Sequence, residues 1–353
     1  MDKIYGIDLF CGAGGLSYGL QKAGINIVAG LDLDPACKYP FEYNVKSTFL
    51  QADITAIHGR ELSKLYPKKG LRLLAGCAPC QPFSPYRRGE DTSVDEKWGL
   101  LAEFARLVNE MRPDLVTMEN VPGLATRPIF AQFLKTLTDA KYAVDWRSVY
   151  CPTFGIPQHR RRLVLTASKS GKIAIPKAGP YQKSEFRVVR DAIGHLPAVQ
   201  AGKCDSKDAL HRARALDATN LSRMRASKPG GTWEDWPKEL RAPCHRRKTG
   251  RSYKSVYARM SWDEPSPTIT TQAYNFGTGR FGHPEQDRSI TLREAAILQT
   301  FPRKYRFVAR KKDTEFTPIG RLIGNAVPPR LAYCVGKILV KGNAATPKPR
   351  EKG

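Results

Sequence analysis

Residues 4–23 read IYGIDLFCGAGGLSYGLQKA. Ile4–Phe10 is a short apolar run of the kind that forms a strand. CGAGG follows, with glycines at 12, 14 and 15 for a tight turn, and Leu16–Ala23 returns to helical spacing. A strand, a glycine turn and a helix in that order let backbone approach a ligand closely at the helix N-terminus. Taken alone, the pattern fits a plain strand–helix turn as well, and it does not separate nucleotides from other adenosine-containing ligands. The turn carries no Lys or Arg to meet a phosphate, so a phosphate-free cofactor suits it better.

Outward from this stretch, Asn26–Leu33 is a second strand, and its Asp32 stands where a carboxylate can bind ribose hydroxyls. Asp53, in QADI, ends a third strand. Leu71–Ala75, Leu115–Met118 and Arg162–Thr166 read as further strands, with a helical pattern over Leu100–Met111. The alternation predicts an α/β fold, a parallel sheet covered on both faces. After about residue 170 the chain turns polar, basic and rich in turns, and RAPCHRRKTGRSYKS (241–255) is densely cationic. Helical signals return in LREAAILQTF from Thr291, and a last helix follows Pro328–Pro329. The expected organisation is a first domain over 1–185, a smaller domain of short strands and loops over 186–285, a return to the first over 286–340, and a basic disordered tail over 341–353.

Lys and Arg total 58 of 353 residues against 33 Asp and Glu, a formal net charge of +25. Such an excess draws polyanions, nucleic acid first among them, and each phosphate neutralised releases counterions. A solvated basic surface without a specific partner is the alternative. The eight cysteines are scattered, without the framework of a secreted disulfide scaffold, and the chain opens without a signal-peptide pattern. No apolar run approaches the ~20 residues of a membrane span. The expected location is the cytoplasm, with no membrane partner.

Three more motifs carry chemistry. In GCAPCQPFS (76–84), Pro79 and Pro82 stiffen a loop around Cys80. Cys77 and Cys80 also form a C-x-x-C pair, but zinc would need a second pair that the chain lacks, and a redox dithiol would open a helix. MENVPGL (118–124) puts Glu119 at a strand end, where α/β sheets present catalytic groups and where a capping residue also sits. GIPQHRRRLVL (155–165) brings three arginines into an apolar strand, so alternation predicts Arg160 and Arg162 on one face and Arg161 on the other.

Together these residues resemble the cytosine-5 DNA methyltransferases, the bacterial modification enzymes especially. DLFCGAGG resembles that family's cofactor motif, PCQPFS its nucleophile loop, ENVPGL its catalytic-glutamate motif, and Gln158–Arg162 its Gln-x-Arg-x-Arg motif. LREAAILQTFP (292–302) and GNAVPP (324–329) resemble its two C-terminal motifs, and all six stand in the family's order. The resemblance implies a Rossmann-like domain that uses S-adenosylmethionine, releasing S-adenosylhomocysteine, without a metal, beside a target-recognition domain at 186–285. PTITT (267–271) is similar to that domain's Thr-containing motif.

The roles the resemblance implies follow residue by residue. Cys80 attacks carbon 6 of a flipped-out cytosine, Glu119 holds ring nitrogen 3, and Arg162 contacts the base and favours the thiolate. Gln158 and Arg160 position the loop and the DNA backbone. The cofactor pocket draws on Phe10, Gly12, Gly14, Leu16, Asp32, Leu33, Asp53, Ile54, Gly76, Leu101, Asn325 and Val327. Ser84, Arg87 and Arg88 grip phosphates near the target. Arg246, Arg247, Lys248, Arg251, Tyr274, Asn275 and Arg280 are candidates for reading bases, with phosphate anchoring the plainer role for each arginine. The implied partner is double-stranded DNA, bound by a monomer, with a cognate restriction endonuclease acting separately. An RNA methyltransferase with the same catalytic set and a catalytically silent DNA binder are the competing readings. PFSP, ENVPGL and a full recognition domain favour DNA, and the intact Cys80, Glu119 and Arg162 favour an active enzyme.

Overall fold

The computed structural model of the chain describes residues 2–79, 99–247 and 254–345. It divides into two compact units, one of 1–150, 161–179 and 327–353, the other of 151–160 and 180–326. In the first unit β1 (Ile4–Leu9), α1 (Gly15–Ala23), β2 (Asn26–Asp32), α2 (Lys38–Val45), β3 (Thr48–Gln51) and α3 (Gly59–Ser63) alternate. β4 (Leu71–Gly76), α4 (Gly99–Met111), β5 (Leu115–Asn120), α5 (Pro128–Asp139), β6 (Ala143–Tyr150) and β7 (Arg161–Ser168) continue the pattern. The seven strands lie in the order β3-β2-β1-β4-β5-β7-β6.

β1 to β5 are parallel, as the alternation predicts, but β7 runs antiparallel to both β5 and β6. The reason is chain length: 151–160, between β6 and β7, is shorter than the dozen or so residues that a parallel crossover needs. β6 is not among the strands expected from sequence, because AVDWRSVY, on the sheet edge, mixes polar residues into its apolar ones. β5, by contrast, is buried along its whole length, and reads as a continuous run for that reason. Ile7, Leu9, Leu74 and Val116 of the sheet share one core with Phe104 and Phe133 of the helices, whose rings stand 5.3 Å apart.

The second unit carries α6 (Val189–Ile193), α7 (Ala218–Ala226), α8 (Pro243–Arg246), α9 (Leu292–Leu298) and α10 (Phe316–Asn325). It is rich in loops, as expected, but among the described residues short helices stand where short strands were expected. Among the described residues its extended segments meet only in isolated bridges, such as Gln158↔Ser266 and Arg259↔Gly282. Met224, Trp233, Trp236 and Phe276 form a small core of its own. The α9 helix starts at a capping box, Thr291 with Glu294, as the motif LREAAIL suggested. The return expected at 286 comes later, at Val327, because α9 and α10 are fastened inside this unit. Gln299 Nε2 donates to Ile323 O at 3.2 Å and to Ala326 O at 2.8 Å, and Arg293 reaches Asp208 at 2.6 Å.

The chain then re-enters the first unit as α11 (Pro329–Ala345). The helix runs on through 341–345, which had been expected in the disordered tail. Within this stretch the Gly342 backbone lies so near Ile173 that a Cβ there would stand 2.9 Å from Cγ2. Two further glycines seat α11 on α1: a Cβ on Gly19 would fall 2.3 Å from Pro329 O, and one on Gly336 would fall 2.5 Å from Ala23 Cβ. No helix among the described residues is long and apolar enough to cross a membrane.

Candidate active site

Strand order reverses between β1 and β4, and open α/β sheets bind ligands beyond the carboxyl ends of their strands at such a point. The glycine turn leaves β1 there. Phe10 takes a left-handed φ of 57°, a conformation costly for a side chain of this size, and Gly12 and Gly14 follow at 52° and 86°. A Cβ built on Gly12 would meet nothing within 4 Å, so open space borders the turn. Asp32, at the end of β2, ties the turn down: its Oδ2 accepts the Gly12 N–H at 2.9 Å and its Oδ1 the Asp34 N–H at 3.0 Å. Burial raises its carboxyl pKa, against the pull of those two donors.

The remaining cofactor candidates divide by position. Leu33 is 65% exposed beside Asp32, free to pack on a ligand. Asp53 is exposed, and the Thr55 N–H at 2.9 Å holds its carboxyl below the usual range. Leu16, Ile54 and Leu101 are buried. Gly76 ends β4 where a Cβ would stand 2.9 Å from Phe104 Cε1 and 3.1 Å from Leu9 O. Val327 is buried in the first unit, whereas Asn325 is exposed at the end of α10 in the second.

Beneath the turn lies a pair that the sequence reading passed over. Asp8 of β1 is fully buried, with Ser17 Oγ donating to its Oδ2 at 2.6 Å. Burial pushes its carboxyl up to about 7, with Asp32 adding to the rise and the Ser17 bonds opposing it. The available signal was a lone carboxylate inside an apolar strand.

Glu119 is 6% exposed near the end of β5. Its Oε1 pairs with Arg162 Nε at 2.9 Å, and Cys77 Sγ donates to its Oε2 at 3.1 Å. Antiparallel β7 makes the first contact possible, because Leu163 faces Asn120 in the ladder and Arg162 comes just past the end of β5. Asn120 Nδ2 reaches Ala78 O at 3.2 Å and moors the segment after β4.

The expectation that Arg160 and Arg162 share a strand face is corrected. β7 starts at Arg161, and the Arg160 carbonyl accepts the Cys151 N–H instead of joining the ladder. The buried Arg160 guanidinium donates to Ile269 O at 3.1 Å within the second unit. Arg161 lies over the Tyr150 ring at 4.8 Å. Gln158, expected on the DNA backbone, is 0% exposed. Its Nε2 donates to Gln299 Oε1 at 2.7 Å, and its Oε1 accepts the Ile269 N–H at 3.0 Å.

Among the base-reading candidates, Arg246 and Arg247 are exposed, and Arg246 caps Lys238 O at 3.2 Å. Arg280 is half-buried and donates to Gly231 O at 2.6 Å. Tyr274 is buried against Phe316, and Asn275 caps a short turn, so both serve packing. Cys80, Ser84, Arg87, Arg88, Lys248 and Arg251 lie outside the described residues.

A model of the C-5 cytosine-specific DNA methylases matches residues 4–341. The chain therefore belongs to that family and is a DNA (cytosine-5)-methyltransferase. It is 49% identical over 336 residues to the Type II methylase M.HgiDII of Herpetosiphon aurantiacus, covering 94% of this chain and 93% of that one. It is 32% identical to the Type II methyltransferase M1.HphI of Haemophilus parahaemolyticus, over 96% of this chain and 87% of the relative. The fold matches the crystal structure of a DNA modification methyltransferase encoded in an E. coli prophage with a TM-score of 0.73, at 22% identity, covering 96% of this chain and 99% of that one.

Proposed function

We propose that the protein methylates carbon 5 of a flipped-out cytosine in a specific duplex site through a covalent Cys80 adduct. S-adenosylmethionine would be the donor, and the setting a Type II restriction–modification system in the cytoplasm. On this reading it works as a monomer, and a separate endonuclease cuts the same site when unmodified. The observation that carries the reading is Glu119, buried at a strand end with its Oε1 on Arg162 at 2.9 Å. A carboxyl held in this way is oriented to hold or share a proton with a ring nitrogen.

The base must first leave the helix, at a cost of a few kcal/mol that phosphate contacts and the pocket offset. Ser84, Arg87, Arg88, Arg246, Arg247, Lys248 and Arg280 are proposed for those contacts. The Cys80 thiolate then adds to carbon 6, and Glu119 shares a proton with nitrogen 3 that offsets the negative charge developing there. That splits one hard step into two easier ones. Arg162 orients Glu119 and steadies the base. After transfer the carbon-5 proton departs to water, and the bond between carbon 6 and Cys80 breaks to restore the ring and free the thiolate.

The residues around the glycine turn fit S-adenosylmethionine. Gly12 borders open space, Asp32 offers a carboxylate at the end of β2, and Leu33 an apolar surface. That cofactor supplies a methyl group already activated on sulfonium, so the residues' task is to bind and align it. Phe10, Gly14, Leu16, Asp53, Ile54, Gly76, Leu101, Asn325 and Val327 are proposed to complete the pocket. Asp32→Ala should weaken S-adenosylmethionine binding by calorimetry, and an unchanged Kd would remove Asp32 from it.

The test of the whole is expression in a host without cytosine methylation, followed by bisulfite sequencing, with Cys80→Ala alongside. Protected cytosines at one short recurring site, absent with the variant, are the expected result. Complete conversion everywhere would refute the reading and direct attention to RNA.

A further inference from the structure

Cys77 lies three residues before the nucleophile position and has no role in the proposed chemistry. Its backbone N–H bonds Leu9 O at 3.3 Å, which moors it beyond the ends of β1 and β4. Its thiol points at Glu119 Oε2, 3.1 Å away. The other oxygen of the same carboxyl faces Arg162 at 2.9 Å. The two partners come from different parts of the first unit, a thiol donor from the segment after β4 and a guanidinium paired by charge from β7. A carboxyl gripped at one oxygen still swings about its terminal torsion, which is broad and soft. Gripped at both, it keeps one plane. Asn120 adds to the arrangement by anchoring the neighbouring Ala78 carbonyl at 3.2 Å, so that the thiol is carried on a fixed segment.

We propose that Cys77 is a positioning residue for methyl transfer, its thiol fixing Glu119 Oε2 while Arg162 fixes Oε1, so that the carboxyl meets the cytosine ring in one orientation. The proposal rests on the reading of Glu119 as the group that holds ring nitrogen 3. A preoriented group avoids reorganisation during the reaction, so its loss lowers kcat more than it weakens substrate binding. A thiol is a weak donor, and a hydroxyl can replace it at this position whereas a methyl cannot.

The experiment measures kcat and both KM values, for duplex DNA and for S-adenosylmethionine, in Cys77→Ala, Cys77→Ser and Glu119→Gln. Exchange of the carbon-5 proton with solvent reports ring activation separately from methyl transfer. Cys77→Ala should lower kcat and exchange together by about fivefold, with both KM values within about twofold of the parent. Cys77→Ser should restore at least half of the parent kcat. A parent-like kcat in Cys77→Ala overturns the proposal. So does a Cys77→Ser enzyme as slow as Cys77→Ala, since the side chain would then matter only for packing. If Cys77→Ala does not fold, Cys77→Ser decides alone: at least half the parent rate upholds the proposal, and a tenfold loss ends it. A fully active Glu119→Gln enzyme would show that the reading of Glu119 had failed, and the role of Cys77 would fall with it.

Discussion

Replacing Asp8 by Asn should stabilise the protein at pH 8 and do much less at pH 5. Asp8 is fully buried, and its carboxyl is pushed from an ordinary 3.8 up to about 7, burial being the main cause. Between those values the folded chain binds a proton that the unfolded chain has released, so stability falls as pH rises. The contribution is whole below about 4 and is lost by the time pH has passed 7. For a single site with these two values, Asp8 costs on the order of 1–2 kcal/mol at pH 5 and roughly 4 kcal/mol at pH 8. Asn cannot ionise, and its other effects do not vary with pH. The stability difference between Asp8→Asn and the parent should therefore grow by roughly 2–3 kcal/mol from pH 5 to pH 8. Urea denaturation of both proteins at several pH values measures it, and every other titrating group cancels in the comparison. A difference that stays flat across that range would refute the argument. The same result would mean that the Ser17 hydroxyl, 2.6 Å from Oδ2, suffices to keep the buried carboxylate charged at little cost.

Gly19→Ala gains about 1 kcal/mol of helix propensity, yet its Cβ would stand 2.3 Å from Pro329 O and 2.4 Å from Ala332 Cβ. The clash should win, lowering the midpoint of thermal unfolding, and an unchanged or raised Tm would disprove the close seat of α11 on α1. Arg162→Met leaves the buried Glu119 without its ion partner and should cost about 3–5 kcal/mol in urea unfolding, most of it recovered by adding Glu119→Gln. Equal stability in the two variants would contradict the pairing. Gln158→Ala should cost about 1–3 kcal/mol of stability. It should leave the salt dependence of DNA binding as it was, because the side chain is fully buried; a log–log slope reduced by about one would reveal a phosphate contact after all.

The first unit is largely legible because strands buried on both faces write themselves as apolar runs, as the parallel β1, β2, β4 and β5 do and as antiparallel β7 does from Leu163 onward. β6 escaped, since an edge strand obeys a looser pattern. Glu119 could be placed at the end of β5 from MENVPGL, but not paired with Cys77, whose contact depends on how far the chain travels after β4. Gln158 shows the limit of reading polarity as exposure: an amide whose donor and acceptor are both satisfied inside the protein is as much at home there as a leucine. Arg160 and Arg162, two residues apart, end in different units because the strand starts between them. The second unit resisted for a further reason. It is held by bonds such as those of Arg259 to Met224 O, His283 O and Gln286 O, which join residues far apart in sequence and leave no periodic trace.

The seat of α11 against α1 bears on when the enzyme first becomes able to work. The glycine turn leads directly into α1, yet the helix that covers α1 begins about 300 residues later in the chain. At about 5–20 residues per second, roughly 15–60 s pass between the synthesis of Gly19 and that of Pro329. Until then the apolar side of α1 waits uncovered, and the glycine turn has no firm floor. A chain released before Pro329 should therefore lack the cover of α1 and be open to proteolysis.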